Sequence, residues 1–365
     1  MNRRKLLKGA AAVAASAPLA GLEVLTTAGE AVAAEETYHV ALCEQHMNMI
    51  MVFPVNKLWT QQNRVWTWTA PVFKDEWGKD AWNDVSDIKF RSTPEYGWVA
   101  LVTASGGKVG IVDMDTAAKR DADEKDLLWS ARPYGNPHSI ERIPGNGSIV
   151  VASSTVHEHP ELLDEEYRNK YGKNEGFLTV YAPKTAEDPR SLERVQRIPF
   201  LRVHGLWFDG EYLWAAGARS IVRYRVVGKN LDTRLELVPD LNPDYPSSCD
   251  LNIHGLDPDY SDPSCLLMTG GANFGVSSVM KDNGVSLVIR PDNDFKSYSR
   301  VASGESFWVK ANGSSPNEGG GTWVSDVVNF EPVDGRIPYA RGLDRSSYGY
   351  SADFYKARVS SVNFS

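Results

Sequence analysis

Three of the seven histidines head similar short apolar runs: His138 in Pro137-His138-Ser139-Ile140, His204 in Val203-His204-Gly205-Leu206 and His254 in Ile253-His254-Gly255-Leu256. Imidazole is the side chain that titrates nearest neutral pH and is also the commonest metal ligand. Brought to one place, three of them support two chemistries. With an open coordination position they hold a catalytic divalent ion such as Mn, Zn or Ca. Without metal they supply a general base whose proton affinity suits neutral pH. Taken singly, each is better explained as a structural histidine bonded to neighbouring backbone. Recurrence favours a shared site, although repeat inheritance alone produces the same pattern.

Cations form the second group of candidates. Lys356-Ala357-Arg358 puts Lys356 and Arg358 on one face of an extended strand, and Lys310 closes the run Phe307-Trp308-Val309. Facing the histidines, they would bind an anionic ligand, because arginine pairs with carboxylate in a planar fork and lysine offers a point charge. Facing outward, they would be solvated or paired with Asp353 and Asp326, and the sequence leaves both arrangements open. Glu44, Asp87, Glu141, Asp257 and Asp353 lie near strand starts and keep a paired-carboxylate glycosidase in play. His157-Glu158-His159-Pro160 begins a charged insertion that could form a lid. Tyr134, Tyr348 and Tyr350 are further acid/base candidates, and Trp82 with Tyr134 is a candidate aromatic rim. The chain holds no G-x-S-x-G, H-E-x-x-H or C-x-x-C, so serine-hydrolase, zincin and thioredoxin-like chemistry finds no support.

The elements that must position these residues are strands. Eleven Trp, fifteen Tyr, thirty Gly and twenty Pro suit an all-β chain with many tight turns. Sustained helical periodicity is scarce. Short apolar runs fall into groups of four: from Ser86 to Ser130, from His138 to Ile198, from His204 to Val238, and from His254 to Ser299, the last counting Phe295–Ser299 as its outer strand. Phe307–Ala311 with Gly321–Phe330 reads as a shorter unit. Phe354–Val359 is expected to supply the first strand of an N-terminal unit whose others are Tyr38–Leu42, Met49–Pro54 and Val65–Thr69. Four-stranded units repeated along a chain predict a β-propeller of six blades, or seven if one hides between Gly304 and Asp353, with the ring closed by N- and C-terminal strands. A pair of β-sandwiches explains the repeating histidine less well.

Residues 1–34 read separately. Asn2-Arg3-Arg4-Lys5, an Ala-rich weakly apolar stretch and Ala31-Val32-Ala33 have the form of a twin-arginine export signal, leaving a single propeller domain over 35–365 and a secreted protein. The net charge of −8 argues against nucleic acid or anionic membrane as partner, and no apolar run is long enough to span a bilayer. A monomer is expected. Of the three cysteines, Cys249 and Cys265 would pair after export or stay reduced, with Cys43 buried.

The twin-arginine start, Glu44-Gln45, Trp66-Thr67-Trp68, the two His-Gly-Leu runs and Phe354-Tyr355-Lys356-Ala357-Arg358 together resemble a family of secreted bacterial β-propellers. More distantly, histidines at a propeller mouth are similar to the oligogalacturonate-lyase type. That likeness implies a divalent metal held by His and Gln side chains beside a uronate. The expectation is therefore an extracellular lyase or hydrolase acting on uronate-containing oligosaccharides, with His138, His204 and His254 as base or metal ligands and Lys310, Lys356 or Arg358 on the carboxylate. A non-catalytic propeller that binds a glycan or protein is the alternative.

Overall fold

Each group of four apolar runs folds as one antiparallel blade. In the computed structural model, residues 38–74, 78–114, 121–133, 135–155, 176–218, 220–239, 253–270, 275–313, 315–317 and 320–360 are described. The expected export signal, the His157-Glu158-His159 insertion, Tyr134 and Cys249 lie outside them. Among the described residues no helix is long and apolar enough to cross a membrane.

Six blades form the ring. Blade 1 runs outward in the order Phe354–Ser360, His39–Glu44, Met49–Pro54 and Trp66–Thr69, with Asp121–Ala122 added in parallel at its outer edge. Blade 2 comprises Val85–Thr93, Gly97–Ala104, Val109–Asp113 and Leu127–Ala131. Blade 3 holds Pro137–Arg142, Ile149–Ser153, Phe177–Pro183 and Leu192–Pro199, and blade 4 Gly205–Phe208, Leu213–Ala216, Ile221–Val227 and Arg234–Val238. Blade 5 is Ile253–Pro258, Cys265–Gly270, Val276–Met280 and Ser286–Arg290, and blade 6 is Phe295–Arg300, Ser306–Lys310, Val328–Glu331 and Tyr339–Arg341.

Blade faces are covered on both sides by neighbours, which is why the middle strands read as nearly continuous apolar runs (Met-Ile-Met-Val-Phe-Pro over Met49–Pro54, Ile-Val-Val-Ala-Ser over Ile149–Ser153). A buried cluster sits between each pair of neighbouring blades. Tryptophans wedge two of these seams. Trp68 meets Trp82 edge-on at 5.3 Å between blades 1 and 2, and Trp59 packs on Phe53, Phe330 and Phe354 between blades 6 and 1. Burying one such ring contributes roughly 2–3 kcal/mol.

The closing strand is where expected: Phe354–Ser360 pairs antiparallel with His39–Glu44, from His39↔Ser360 to Glu44↔Phe354. Two sequence assignments need correction. Phe295–Arg300 is the innermost strand of blade 6 and not the outer strand of blade 5, whose third strand, Val276–Met280, is not evident in the sequence. Ser277 and Ser278 interrupt its apolar pattern. Blade 6 therefore has four strands, and the described residues leave no seventh blade. Trp82, expected on the rim, is 2% exposed and belongs to the seam between blades 1 and 2.

Candidate functional site at the channel mouth

All six innermost strands run in the same sense about the channel, so residues at their starts gather at one end. There His138, His204, His254, Lys296 and Tyr355 line a funnel of ≈ 550 Å³, with Asp80, Asn83, Ser105, Asn136 and Trp323 around its rim. The expected convergence of the three histidines is what the structure contains. His138 and His204 stack with ring centroids 4.4 Å apart, and His204 meets His254 edge-on at 5.2 Å.

The His-Gly-Leu runs explain that closeness. A Cβ on Gly205 would lie 2.7 Å from Leu256 Cβ and 2.9 Å from Leu256 N, so only glycine lets the innermost strands of blades 4 and 5 approach. Gly255 is the facing residue, its carbonyl carbon 3.1 Å from that added Cβ, and a Cβ of its own would lie 2.7 Å from Oγ1 of Thr269 on the next strand of blade 5. The following leucines, Leu206 and Leu256, turn into the seams between blades. In blade 3 serine replaces glycine, and Ser139 Oγ donates to Asp87 Oδ2 at 2.8 Å.

Each ring has a defined partner. Tyr355 Oη hydrogen-bonds His138 Nδ1 (3.2 Å), His204 Nδ1 donates to the Arg202 carbonyl (2.8 Å), and Lys296 Nζ donates to His254 Nε2 (3.1 Å). Burial makes protonation costly at all three. It holds His204 down at about 3, only partly offset by the Arg202 carbonyl. His138 and His254 also lie well below the usual imidazole range, from burial first and then from His204 and Lys296 respectively. Burial, with help from the nearby Lys356 cation, likewise lowers the Lys296 amine to about 8 against the pull of Asp294. The site is thus three neutral imidazoles beside an amine that readily gives up its proton.

This arrangement does not fit a three-histidine metal centre. The lone pairs of stacked imidazoles lie in nearly parallel planes, 27° apart for His138 and His204, and cannot meet at one ion. Lys296 Nζ occupies the direction of His254 Nε2. Among the described residues no group of three or more His, Cys, Asp or Glu side chains is disposed to hold a metal.

Lys356 and Arg358 do share the channel face, but below the histidines and engaged with buried carboxylates. Lys356 Nζ donates to the His138 carbonyl at 2.9 Å and stands 3.8 Å from Asp87, while Arg358 Nε donates to Asp87 Oδ1 at 2.8 Å and its Nη1 pairs with Asp257. A further layer follows, in which Lys89 Nζ donates to Leu206 O at 2.6 Å and pairs with Glu141, itself clasped by Arg91. Beyond it Arg91 lies over the Trp207 ring at 4.8 Å, where only ≈ 10 Å³ of space remains. The candidate carboxylates Asp87, Glu141 and Asp257 are spent in this plug. Asp353 accepts from Ser315 Oγ at 2.6 Å, and Glu44 accepts from the Met47 amide at 2.9 Å and the Asp353 amide at 3.0 Å.

Lys310 is not at the mouth. It ends the second strand of blade 6, 39% exposed, with Nζ 3.7 Å from Asp292. Its expected place is taken by Lys296, the true innermost-strand lysine of that blade. Tyr348 and Tyr350 pack against the seam between blades 6 and 1, leaving Tyr355 as the mouth tyrosine. Sequence reasoning misses Lys296 and Tyr355 because neither sits in a His-Gly-Leu run. Both occupy the place held by His138 and His254, the second residue of an innermost strand, in Phe295-Lys296 and Phe354-Tyr355, while His204 stands one residue before its own strand. Cys265 is a free thiol, as is Cys43.

No family model matches the chain, and a search of curated proteins finds no match. Among solved structures, a luciferin-regenerating enzyme is 12% identical over 90% of this chain and 90% of its own, with a TM-score of 0.47. Raptor from Chaetomium thermophilum is 13% identical over 81% of this chain and 24% of its own (TM-score 0.46), and dihydro-heme d1 dehydrogenase NirN is 12% identical over 83% and 53% (TM-score 0.38). At these values the likeness adds nothing to the propeller already described.

Proposed function

We propose that the protein is a secreted carbohydrate-active enzyme that removes or delivers a proton on a uronate-containing oligosaccharide held in the mouth funnel. The observation that carries this reading is the Lys296–His254 pair: an amine lowered to about 8 and a neutral imidazole, 3.1 Å apart, in the wall of a ≈ 550 Å³ recess. General-base chemistry near neutral pH draws on the uncharged fraction of such an amine, which grows as its value falls toward the working pH. In an eliminative cleavage Lys296 takes the proton alpha to the uronate carboxylate, and His254 Nε2 accepts a hydrogen bond from the ammonium that forms. The Tyr355–His138 pair, across the funnel, protonates the departing oxygen. Trp323, 45% exposed and fixed by its Nε1 bond to Gln45 Oε1 (2.9 Å), offers a flat face on which a sugar ring stacks.

A panel of uronate oligosaccharides assayed for an unsaturated product absorbing in the near ultraviolet tests the reading. Activity lost in Lys296→Met and His254→Ala is the expected result. Silence across the panel overturns it. The same rim favours a second reading, a non-catalytic glycan-binding propeller. In that case Trp323→Ala abolishes binding while Lys296→Met and His254→Ala leave it within about twofold, well under the tenfold that a lost hot spot produces.

A further inference from the structure

The three lysines on the innermost strands differ in what surrounds the amine. Lys89 Nζ has four acceptors, Ser139 Oγ, Ile140 O, Glu141 Oε2 and Leu206 O, and Lys356 Nζ has the His138 carbonyl and Asp87. Lys296 Nζ has the His254 imidazole alone among the described residues, and it borders the open funnel. A buried amine with a neutral hydrogen-bond acceptor and no ion-pair partner keeps its lone pair available. Nothing in the proton-transfer reading requires that nucleophilicity.

We propose that Lys296 is a carbonyl-reactive lysine that forms an imine with a small aldehyde or ketone admitted by the funnel. The Nζ lone pair adds to the carbonyl carbon as the C=O π pair moves to oxygen. His254 Nε2 carries the proton released from nitrogen to the new alkoxide, giving a neutral carbinolamine. The hydroxyl then takes a proton from solvent and leaves as water while the nitrogen lone pair forms the C=N bond, and the iminium gives its N–H proton back to solvent through His254. Amine and carbonyl give imine and water, with no oxidant or metal consumed. The inference shares its site with the proposed function but does not depend on it, because only this step leaves the ligand covalently attached.

Trapping distinguishes the two. The full chain is treated with glyoxylate and sodium cyanoborohydride, which reduces an imine to a stable secondary amine, and the modified lysines are mapped by peptide mass spectrometry. Lys296 is expected to label about tenfold or more faster than Lys57 and Lys310. In Lys296→Arg that peptide stays unmodified while Lys57 and Lys310 label as before, and His254→Gln slows labelling at Lys296 with circular dichroism unchanged. Labelling of Lys296 no faster than of Lys57 overturns the inference. That comparison is made within the wild-type chain, so it holds even where a variant fails to fold. Rapid labelling combined with silence on the uronate panel discards the eliminative reading and keeps the reactive lysine, and the reverse combination does the opposite.

Discussion

At the scale of single residues, the channel separates the candidate acting groups at its mouth from groups that hold. Asp87 holds. Burial alone would raise its carboxyl, but Arg358, then Lys356 and Lys89, bring it down to about 2 from 3.8. Because its folded value is depressed, its contribution to stability is complete above about pH 4 and is lost as pH falls toward 2. Asp87→Asn should therefore flatten the acid limb of the stability profile over that window. It should also cost about 3 kcal/mol at pH 7 in denaturant titration, since it leaves two buried cations short of a carboxylate. Lys296→Met should leave stability nearly unchanged, because that amine has no ion pair to lose. The histidines were legible in the sequence because a repeated residue at a repeated place is visible without a structure. Lys296 was not, since Phe295-Lys296-Ser297 carries no trace of the His-Gly-Leu pattern and its strand looks like the outer edge of the preceding blade.

At the scale of elements, two devices set the site's geometry. One is the close approach of blades 4 and 5 through Gly205 and Gly255. Gly205→Ala forces a Cβ against Leu256 backbone, which cannot swing aside as a side chain tip would. We expect a loss of roughly 2 kcal/mol in chemical denaturation and a wider spacing between His204 and His254. The other is the clasp between the terminal strands, where Glu44 accepts from the Asp353 amide. Burial raises the Glu44 carboxyl to about 7 from 4.5, so between those values the folded state binds a proton that the unfolded state has released. Stability then declines as pH rises from about 4.5 to 7 and levels off above. The protection factor of the Asp353 amide, its exchange relative to an unstructured peptide at the same pH, should fall over the same range in the wild type and stay flat in Glu44→Gln. The six-blade ring and its terminal closure were readable from the runs themselves. The third strand of blade 5 was not, because a strand covered on both faces tolerates the paired serines Ser277 and Ser278 wherever the neighbouring blade leaves room for them.

At the scale of the whole molecule, the propeller is a closed ring of six wedges, each stabilised chiefly by its neighbours. A chain ended after Ala352 lacks the innermost strand of blade 1, which carries Tyr355, Lys356 and Arg358. It should lose cooperative thermal unfolding and aggregate, as light scattering would detect, because His39–Glu44 becomes an open edge. The plug of Asp87, Asp257, Arg358, Lys89 and Glu141 has a different outcome. It makes the funnel a blind alley, so that arrivals and departures share one doorway. A ligand bound there must back out before the next can come in, and while it lingers it competes with every newcomer for the same space. If the proposed uronate chain is what enters, such a recess suits its loose end and turns away its middle, which would have to thread through a passage that the ion pairs have walled up.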